Sequence, residues 1–281
     1  MLHLVLALSA AVAAAAQPPD LQTGASRIAL AMVTDTRNQP MMDVSADDFV
    51  IQEGGAAREI LSVRPADYPI VVLLDNGKDA RADFPLIRKA VAHFIERIGP
   101  RPLALGTFGN LPKLVTAFED DRRTVMAKLD ELEADTVAGS LLLEGAALAG
   151  QTIRSTGTLF SAIVVVSATA ADASRDAPEE LVAPVVDSGA ILHVIANRSV
   201  PSSGGFRLRP ALRALTEQTR GEYTAIYSAA SYQAALDRLA DRLTSELMIE
   251  YLVPVGSKPN DVKIGVRVIG ARVRGLGVTP R

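Results

Sequence analysis

The sequence contains no cysteine, few aromatic residues and only three histidines, and each scarcity narrows the functions that are open to it. Without cysteine the chain cannot form disulfides, thiolate zinc sites or a cysteine nucleophile. Aromatic residues make up 4% of the chain, so its core must be built from Ala, Val, Leu and Ile, which suits helices packed on a parallel sheet. His93 and His193 lie among apolar neighbours, so we expect them in core or half-buried positions rather than in catalysis.

The charged residues are nearly balanced and are dispersed along the chain. The formal net charge is −3, and arginines alternate with acids without any basic block. A nucleic-acid-binding protein usually has a basic patch, so this pattern argues against nucleic acid as a partner. We expect an ordinary solvated surface of mixed charge.

The N-terminus resembles a secretory leader. Residues 1–16 read MLHLVLALSAAVAAAA, with Ala14 and Ala16 placed as at a cleavage site. The run is too short for an ordinary membrane span, and it lacks Lys or Arg, so a buried helix or a misplaced start codon are the alternatives. We expect a signal peptide over 1–16, a flexible segment over 17–26, and a mature protein that is periplasmic or secreted without stable membrane insertion.

The chain after the leader changes its pattern near residue 67. Residues 27–66 contain three short strand-like runs separated by turn residues, which are too few to build much core alone. We therefore expect a small β unit over 27–66 that docks on a larger domain over 67–254. Residues 255–281 are expected to add a C-terminal strand and a tail.

The larger segment alternates two kinds of pattern. Residues 70–74 and 160–167 are continuous apolar runs, which are typical of strands buried on both faces. Residues 83–98 and 231–247 have apolar side chains at helical spacing. This alternation predicts an α/β fold, doubly wound, with a mostly parallel sheet and helices on both faces.

Three blocks of the chain have a recognisable order and spacing. The first is VSADDF followed by QEGG at residues 44–55, and the second is the apolar strand that ends Leu73-Leu74-Asp75. The third is TRGEY at 219–223, then LADRLTSEL and YLVP up to residue 254. Together they resemble the bacterial von Willebrand factor type A-related (VWFA-related) family first noted in Acidobacteria, and they cover nearly the whole chain after the leader.

The resemblance implies a metal-ion-dependent adhesion site. There an Asp-x-Ser-x-Ser loop, a Thr and a second Asp gather hard oxygens around Mg²⁺, and one position stays open for a partner's carboxylate. Asp75 matches the first Asp, Gly77 and Asp79 stand at the two Ser positions, Ser140 matches the Thr, and Ala168 stands where the second Asp is expected. Because Gly77 and Ala168 supply no ligand, Asp75, Asp79 and Ser140 should hold Mg²⁺ weakly or not at all. The alternative is that these residues cap helices and bind loop amides.

Motifs for catalysis are absent from the sequence. The chain has neither a G-x-S-x-G elbow nor a G-x-x-x-x-G-K-[ST] loop. Residues 76–79 (NGKD) superficially resemble a phosphate loop, but they hold one glycine, and no Ser or Thr follows Lys78. We therefore expect no enzymatic activity.

Three functional hypotheses remain open. The leading one is a binding module of the adhesion type that engages a protein partner at the carboxyl ends of the strands. The alternatives are a structural accessory protein with an inert face there, whose interactions use the β unit or the Ser/Gly-rich loop 197–207, and a functional Mg²⁺-dependent domain. The predicted partner contacts of the leading hypothesis are Asn76, Lys78, Asn110, Gly139, Thr169 and Asp172, of which Asp172 is also the acid nearest to Ala168 that could replace a missing ligand.

Overall fold

The computed structural model describes residues 24–169, 172–174, 178–198 and 209–279. The predicted leader over 1–16 and most of the loop 197–207 lie outside the described residues. In chain order the strands are β1 (Ala25–Thr34), β2 (Phe49–Glu53), β3 (Ala56–Arg58), β4 (Ile60–Pro65), β5 (Ile70–Leu74), β6 (Leu103–Thr107), β7 (Lys113–Leu114), β8 (Ala162–Ser167), β9 (Ile191–Asn197), β10 (Tyr223–Ile226), β11 (Glu246–Val253), β12 (Val262–Val266) and β13 (Arg272–Val278). The helices are α1 (Phe84–Arg97), α2 (Arg122–Glu131), α3 (Leu142–Thr156), α4 (Pro178–Ser188), α5 (Arg209–Gln218) and α6 (Ser231–Thr244).

The central element is a six-stranded sheet with the order β10-β9-β8-β5-β6-β7. Its strands are parallel except for β7, which is a short antiparallel neighbour of β6. Residues of α1, α2 and α6 form one core with the sheet, and residues of α3, α4 and α5 form the core on its other face. The predicted doubly wound α/β fold is therefore confirmed.

After β5 the chain adds β6 on one side of it, and the next parallel strand, β8, lies on the other side of β5. In an open α/β sheet, the carboxyl ends of the strands at such a reversal form the usual ligand crevice. Asp75 follows β5 directly and Ser167 ends β8, so both stand at this point.

Two further sheets form a β sandwich beside the α/β layer. One has the order β13-β1-β11-β4 and the other β12-β2-β3. The predicted β unit of 27–66 thus shares its sheets with strands from the C-terminal part of the chain, because β1 pairs with β11 and β13, and β2 pairs with β12.

Strand β1 joins the sandwich to the α/β layer. Ala29, Ala31 and Val33 face the core between the two sandwich sheets, while Leu30 belongs to the core beneath α1 and α6. Successive side chains of a strand point to opposite faces, so β1 contributes to two cores at once. None of the helices within the described ranges is long and apolar enough to cross a membrane.

Candidate functional site

Asp75 is buried at the reversal point and accepts four hydrogen bonds. Its Oδ1 accepts from the Gly77 N–H at 3.0 Å and from the hydroxyl of Ser140. Its Oδ2 accepts from the hydroxyl of Ser167 at 3.1 Å and from the Ala168 N–H at 2.9 Å. An ionised carboxylate offers about four lone-pair directions, so the protein itself occupies the acceptor capacity of Asp75.

The ionisation of Asp75 reflects two opposing effects. Burial raises the pKa of this carboxyl, while hydrogen bonds from Ser140, Gly77, Ala168 and Ser167 lower it, and the net direction is upward. Two of the donors are backbone amides of different loops. Asp75 therefore holds the ends of β5 and β8 and the loop before α3 in one arrangement.

Gly77 is required by the close approach of Ser140. A Cβ placed at residue 77 would lie 2.4 Å from the Ser140 Oγ and 3.1 Å from its backbone nitrogen. Real Cβ atoms essentially never approach another heavy atom that closely. The space that a side chain would need at the first Ser position of the adhesion-site pattern is thus filled by Ser140.

Of the predicted metal ligands, Ser140 contacts Asp75, but neither Asp79 nor the possible substitute Asp172 has a hydrogen bond to this pair through its carboxylate. Asp79 lies in an exposed 3₁₀ turn. Asp172 is buried, and its Oδ1 accepts the backbone N–H of Leu142 at 2.8 Å, at the first turn of α3. Within the described ranges no group of three or more histidine, aspartate or glutamate side chains could hold a metal ion. The residues present do not fit an octahedral oxygen site in this arrangement.

Backbone hydrogen bonds tie the neighbouring loops together. The Asp135 N–H donates to the Asn76 carbonyl at 2.6 Å, and the Lys78 N–H donates to the Ala138 carbonyl at 2.7 Å. The Gly109 N–H donates to the Asn76 Oδ1 at 2.7 Å. These bonds bring residues 76–81, 109–111 and 136–139 together into one surface, which we call the loop face.

A second buried polar group lies beside Asp75 and was missed in the sequence. The hydroxyl of Tyr232, on α6, donates to the Ser167 carbonyl at 3.0 Å, and burial raises the pKa of Tyr232 well above its usual value. Asn197, at the end of β9, donates to the Asp83 Oδ2 at 3.0 Å. A polar residue that ends a buried apolar strand was the available signal for Asn197, whereas nothing in the pattern of α6 distinguished Tyr232.

No known sequence family matches this chain, and no curated protein sequence does. Solved structures do match. A von Willebrand factor type A protein from Catenulispora acidiphila is similar over 92% of this chain and 74% of its own length, at 12% identity and a TM-score of 0.51. This is a von Willebrand factor type A fold.

A second neighbour is a protein whose structure holds a metal ion. Proximal thread matrix protein 1 from the mussel byssus, in a structure with a zinc-occupied MIDAS motif, matches 68% of this chain at 12% identity and a TM-score of 0.53. The match spans 49% of the mussel protein. At such identities the likeness concerns the fold alone.

The predicted partner residues differ in their exposure to solvent. Lys78 and Asn110 are exposed, Asn76 and Gly139 are half-buried, and Thr169 and Asp172 are buried. Burial removes Thr169 and Asp172 from the surface that a partner could contact, and Asp172 already binds the start of α3. All six residues lie in loops at the carboxyl ends of the strands, but the sequence could not distinguish exposed from enclosed positions.

The loop face also carries exposed apolar side chains. Leu111 is 73% exposed and Val137 is 78% exposed, and both lie in loops that are hydrogen-bonded to the turn after Asp75. Neither residue was singled out in the sequence, because an isolated apolar residue in a polar loop has no periodicity to mark it.

The two histidines among the described residues lie in different environments. His193 is buried on β9, neither ring nitrogen has a hydrogen-bond partner in the described part of the chain, and burial lowers its pKa to about 3. It is a core histidine as expected, but it is not hydrogen-bonded there. His93 lies on the exposed side of α1, with its Nε2 3.3 Å from the Asp237 carboxylate.

Proposed function

We propose that this chain is an exported, non-enzymatic binding module that engages a protein partner through the loop face without a metal ion. The observation that carries the proposal is the combination of a fully hydrogen-bonded Asp75 with exposed Leu111 and Val137 on the surface above it. The face is rigidly built, yet it leaves apolar side chains in water.

Metal independence is supported by the donors around Asp75. An ion could bind this carboxylate only by displacing the Ser140 or Ser167 hydroxyl or a backbone amide, and a displaced buried amide would lose its partner at a cost of about 1–3 kcal/mol. Gly77 and Ala168 contribute no oxygen side chain in compensation. We therefore propose no bound cofactor, or at most weakly bound Mg²⁺ held by Asp79 and waters.

A protein partner is supported by the chemistry of the surface. Leu111 and Val137 are exposed apolar side chains of the loop face, and Lys78, Asp79 and Asn110 are exposed polar side chains of the same loops. Protein interfaces commonly combine an apolar centre with a polar rim. Exposed apolar side chains grouped on one face are a common feature of protein interaction sites.

We base the proposed absence of enzymatic activity on the hydrogen bonds of the Ser140 and Ser167 hydroxyls. Ser140 and Ser167 both donate to Asp75, and neither hydrogen-bonds to a histidine of the described residues. An activated serine usually hydrogen-bonds to a histidine that takes its proton. Export is proposed from residues 1–16, which resemble a signal peptide.

The experiment is a quantitative affinity capture with the mature chain immobilised. The Leu111→Asp/Val137→Asp variant is compared with the wild type and with Leu61→Asp/Leu159→Asp, which changes two leucines exposed elsewhere. We expect one set of extracytoplasmic proteins to be captured equally by the wild type and the control variant, with and without EDTA. Capture should fall at least about tenfold with the loop-face variant, which corresponds to about 1.4 kcal/mol.

Other outcomes would favour the alternatives. Capture that EDTA abolishes supports a Mg²⁺-dependent domain. Capture that survives the loop-face substitutions but falls in the control variant supports an accessory protein whose loop face is inert.

A further inference from the structure

A second open site lies at the opposite end of the sheet from the loop face. It is a cleft of about 930 Å³ between the α/β layer and the sandwich, which we call the junction cleft. Strand β9 runs from Ile191 at the cleft to Asn197 near the loop face. At about 3.3 Å per residue the two sites are about 20 Å apart, so they can be altered independently. The cleft is lined by Val186, residues 189–191, residues 218–220, residues 257–262, Leu276 and Val278.

The walls of the junction cleft are aliphatic. Val186, Val262 and Val278 are half-buried, and Ile191 and Leu276 are buried behind them. The half-buried valines keep surface that a bound side chain could cover, and covering apolar surface contributes about 25 cal/mol per Å². The lining contains no aromatic side chain on which a base could stack.

Three polar side chains of the lining are exposed and unengaged. The carboxamides of Gln218 and Asn260 and the ammonium of Lys258 form no hydrogen bond or ion pair with any residue that the structure describes. A carboxamide offers both donors and an acceptor. That combination matches the N–H and C=O of a peptide main chain.

The other charged residues of the lining leave it with a net positive charge. The Asp261 carboxylate lies 3.2 Å from the Lys263 ammonium. The guanidinium of Arg220 donates to the Leu276 carbonyl at 2.7 Å, which holds it in the wall without neutralising its charge. Lys258 and Arg220 have no carboxylate partner among the described residues, so the cleft favours an anionic group. Two cations are too few for a polyphosphate backbone.

We propose that the junction cleft binds an extended peptide segment that carries aliphatic and acidic side chains. The main-chain groups of a helix are already paired with one another, so only an extended segment leaves them free for Gln218 and Asn260. Aliphatic side chains contact the valines, and a carboxylate pairs with Lys258. Extended peptides are commonly recognised in this way, by main-chain hydrogen bonds and pockets for alternate side chains.

The test is a fluorescence anisotropy titration of the full chain with two labelled hexapeptides. One alternates valine with glutamate, and the other alternates valine with lysine. We expect saturable binding of the acidic peptide at least about tenfold tighter than that of the basic one. Lys258→Glu should weaken the acidic peptide at least about tenfold, and Gln218→Ala/Asn260→Ala should weaken both peptides. Lys113→Glu, the same charge change on exposed β7, is the matched control and should have no effect.

Hydrogen exchange locates the bound peptide. Protection is expected at residues 189–191 and 257–262, and it should persist in the Leu111→Asp/Val137→Asp variant. The proposal is overturned if the acidic peptide shows no saturable binding up to about 1 mM, if both peptides bind equally, or if Lys258→Glu and Lys113→Glu have the same effect. Protection confined to the loop face would also overturn it.

Discussion

At the scale of single residues, Gly77 determines whether the loop next to Asp75 can pack against Ser140. Gly77→Ser restores the hydroxyl of the adhesion-site pattern, but its Cβ would overlap the Ser140 Oγ. We expect a loss of about 1–3 kcal/mol in the free energy of unfolding, measured by denaturant titration, and no stabilisation by Mg²⁺. Gly265→Ser, where a Cβ would meet only ordinary contacts at 3.9 Å or more, should change stability by about 0.5 kcal/mol or less.

A double-mutant cycle isolates the overlap. Ser140→Ala removes the hydroxyl that Gly77→Ser would meet, so Gly77→Ser should cost less in the Ser140→Ala background than in the wild type. Equal costs in the two backgrounds would show that Ser140 does not limit residue 77. A stabilisation by Mg²⁺ that appears only in Gly77→Ser would contradict the proposal that the arrangement excludes the ion.

Glu246 makes stability depend on pH. It is buried at the start of β11, where its Oε2 accepts from the Tyr68 hydroxyl, and burial raises its pKa from 4.5 to about 7 although Tyr68, Arg242, Arg101 and Arg274 all oppose this shift. The folded state therefore favours the protonated acid. The contribution of this proton to stability is complete below pH 4.5 and is lost as the pH rises through about 7.

The variant Glu246→Gln removes this titration. As the pH rises from 4.5 to 8, the wild type should lose up to about 3 kcal/mol of unfolding free energy that the variant retains. Urea denaturation of both proteins across this range measures the difference. Parallel pH profiles would mean that Glu246 does not retain its proton in the folded state.

At the scale of secondary-structure elements, helix α3 depends on a cap from another part of the chain. Its N-cap residue, Leu141, has no side-chain acceptor, and the Asp172 carboxylate accepts the Leu142 N–H instead. Asp172→Ala should cost about 1–2 kcal/mol and should speed hydrogen exchange at the first turn of α3.

The control is Asp121→Ala, which removes the exposed N-cap of α2 that accepts from the Thr124 N–H. Because that cap is solvated, its loss should cost less, about 0.5–1 kcal/mol, with faster exchange confined to α2. An equal cost for the two variants would indicate that the burial of Asp172 adds nothing to its capping role.

Some strands and helices could be predicted from the sequence, and others could not. The buried strands β5 and β8 could be found because their apolar runs are continuous. Strand β13 was missed because Arg272, Arg274 and two glycines interrupt its pattern. The helix expected over 231–247 ends at Thr244, because Glu246 already begins β11.

Asp75, Gly77 and Ser140 could be identified from the sequence as the centre of the site, but their contacts could not. The hydrogen bond from Ser140 to Asp75 joins residues far apart in the chain, and no local pattern encodes which donor fills a buried acceptor. The exposure of Leu111 and Val137 likewise depends on how the loops pack.

At the scale of the whole molecule, a buried ion pair connects the two sandwich sheets. Arg27 on β1 pairs with Glu53 on β2, and Arg27 also donates to the Ser257 carbonyl at 2.5 Å, in a wall of the junction cleft. Arg27→Ala should cost about 3–5 kcal/mol because it leaves the buried Glu53 with only the more distant Arg58, at 4.0 Å, as a cationic neighbour. The double variant Arg27→Met/Glu53→Leu should recover most of that loss, as measured by thermal unfolding. If Arg27→Ala costs less than about 1 kcal/mol, the pair does not secure the sandwich.

The pairing of β1 with β11 and β13 has a consequence for how the polypeptide acquires its shape. The first strand finds its neighbours only after more than 200 further residues have been made, since Ala25 pairs with Val253. Closing so large a loop is slow, and until it happens β1 remains an unpaired apolar edge that other chains can join. Synthesis of this protein therefore leaves a long interval in which β1 needs protection.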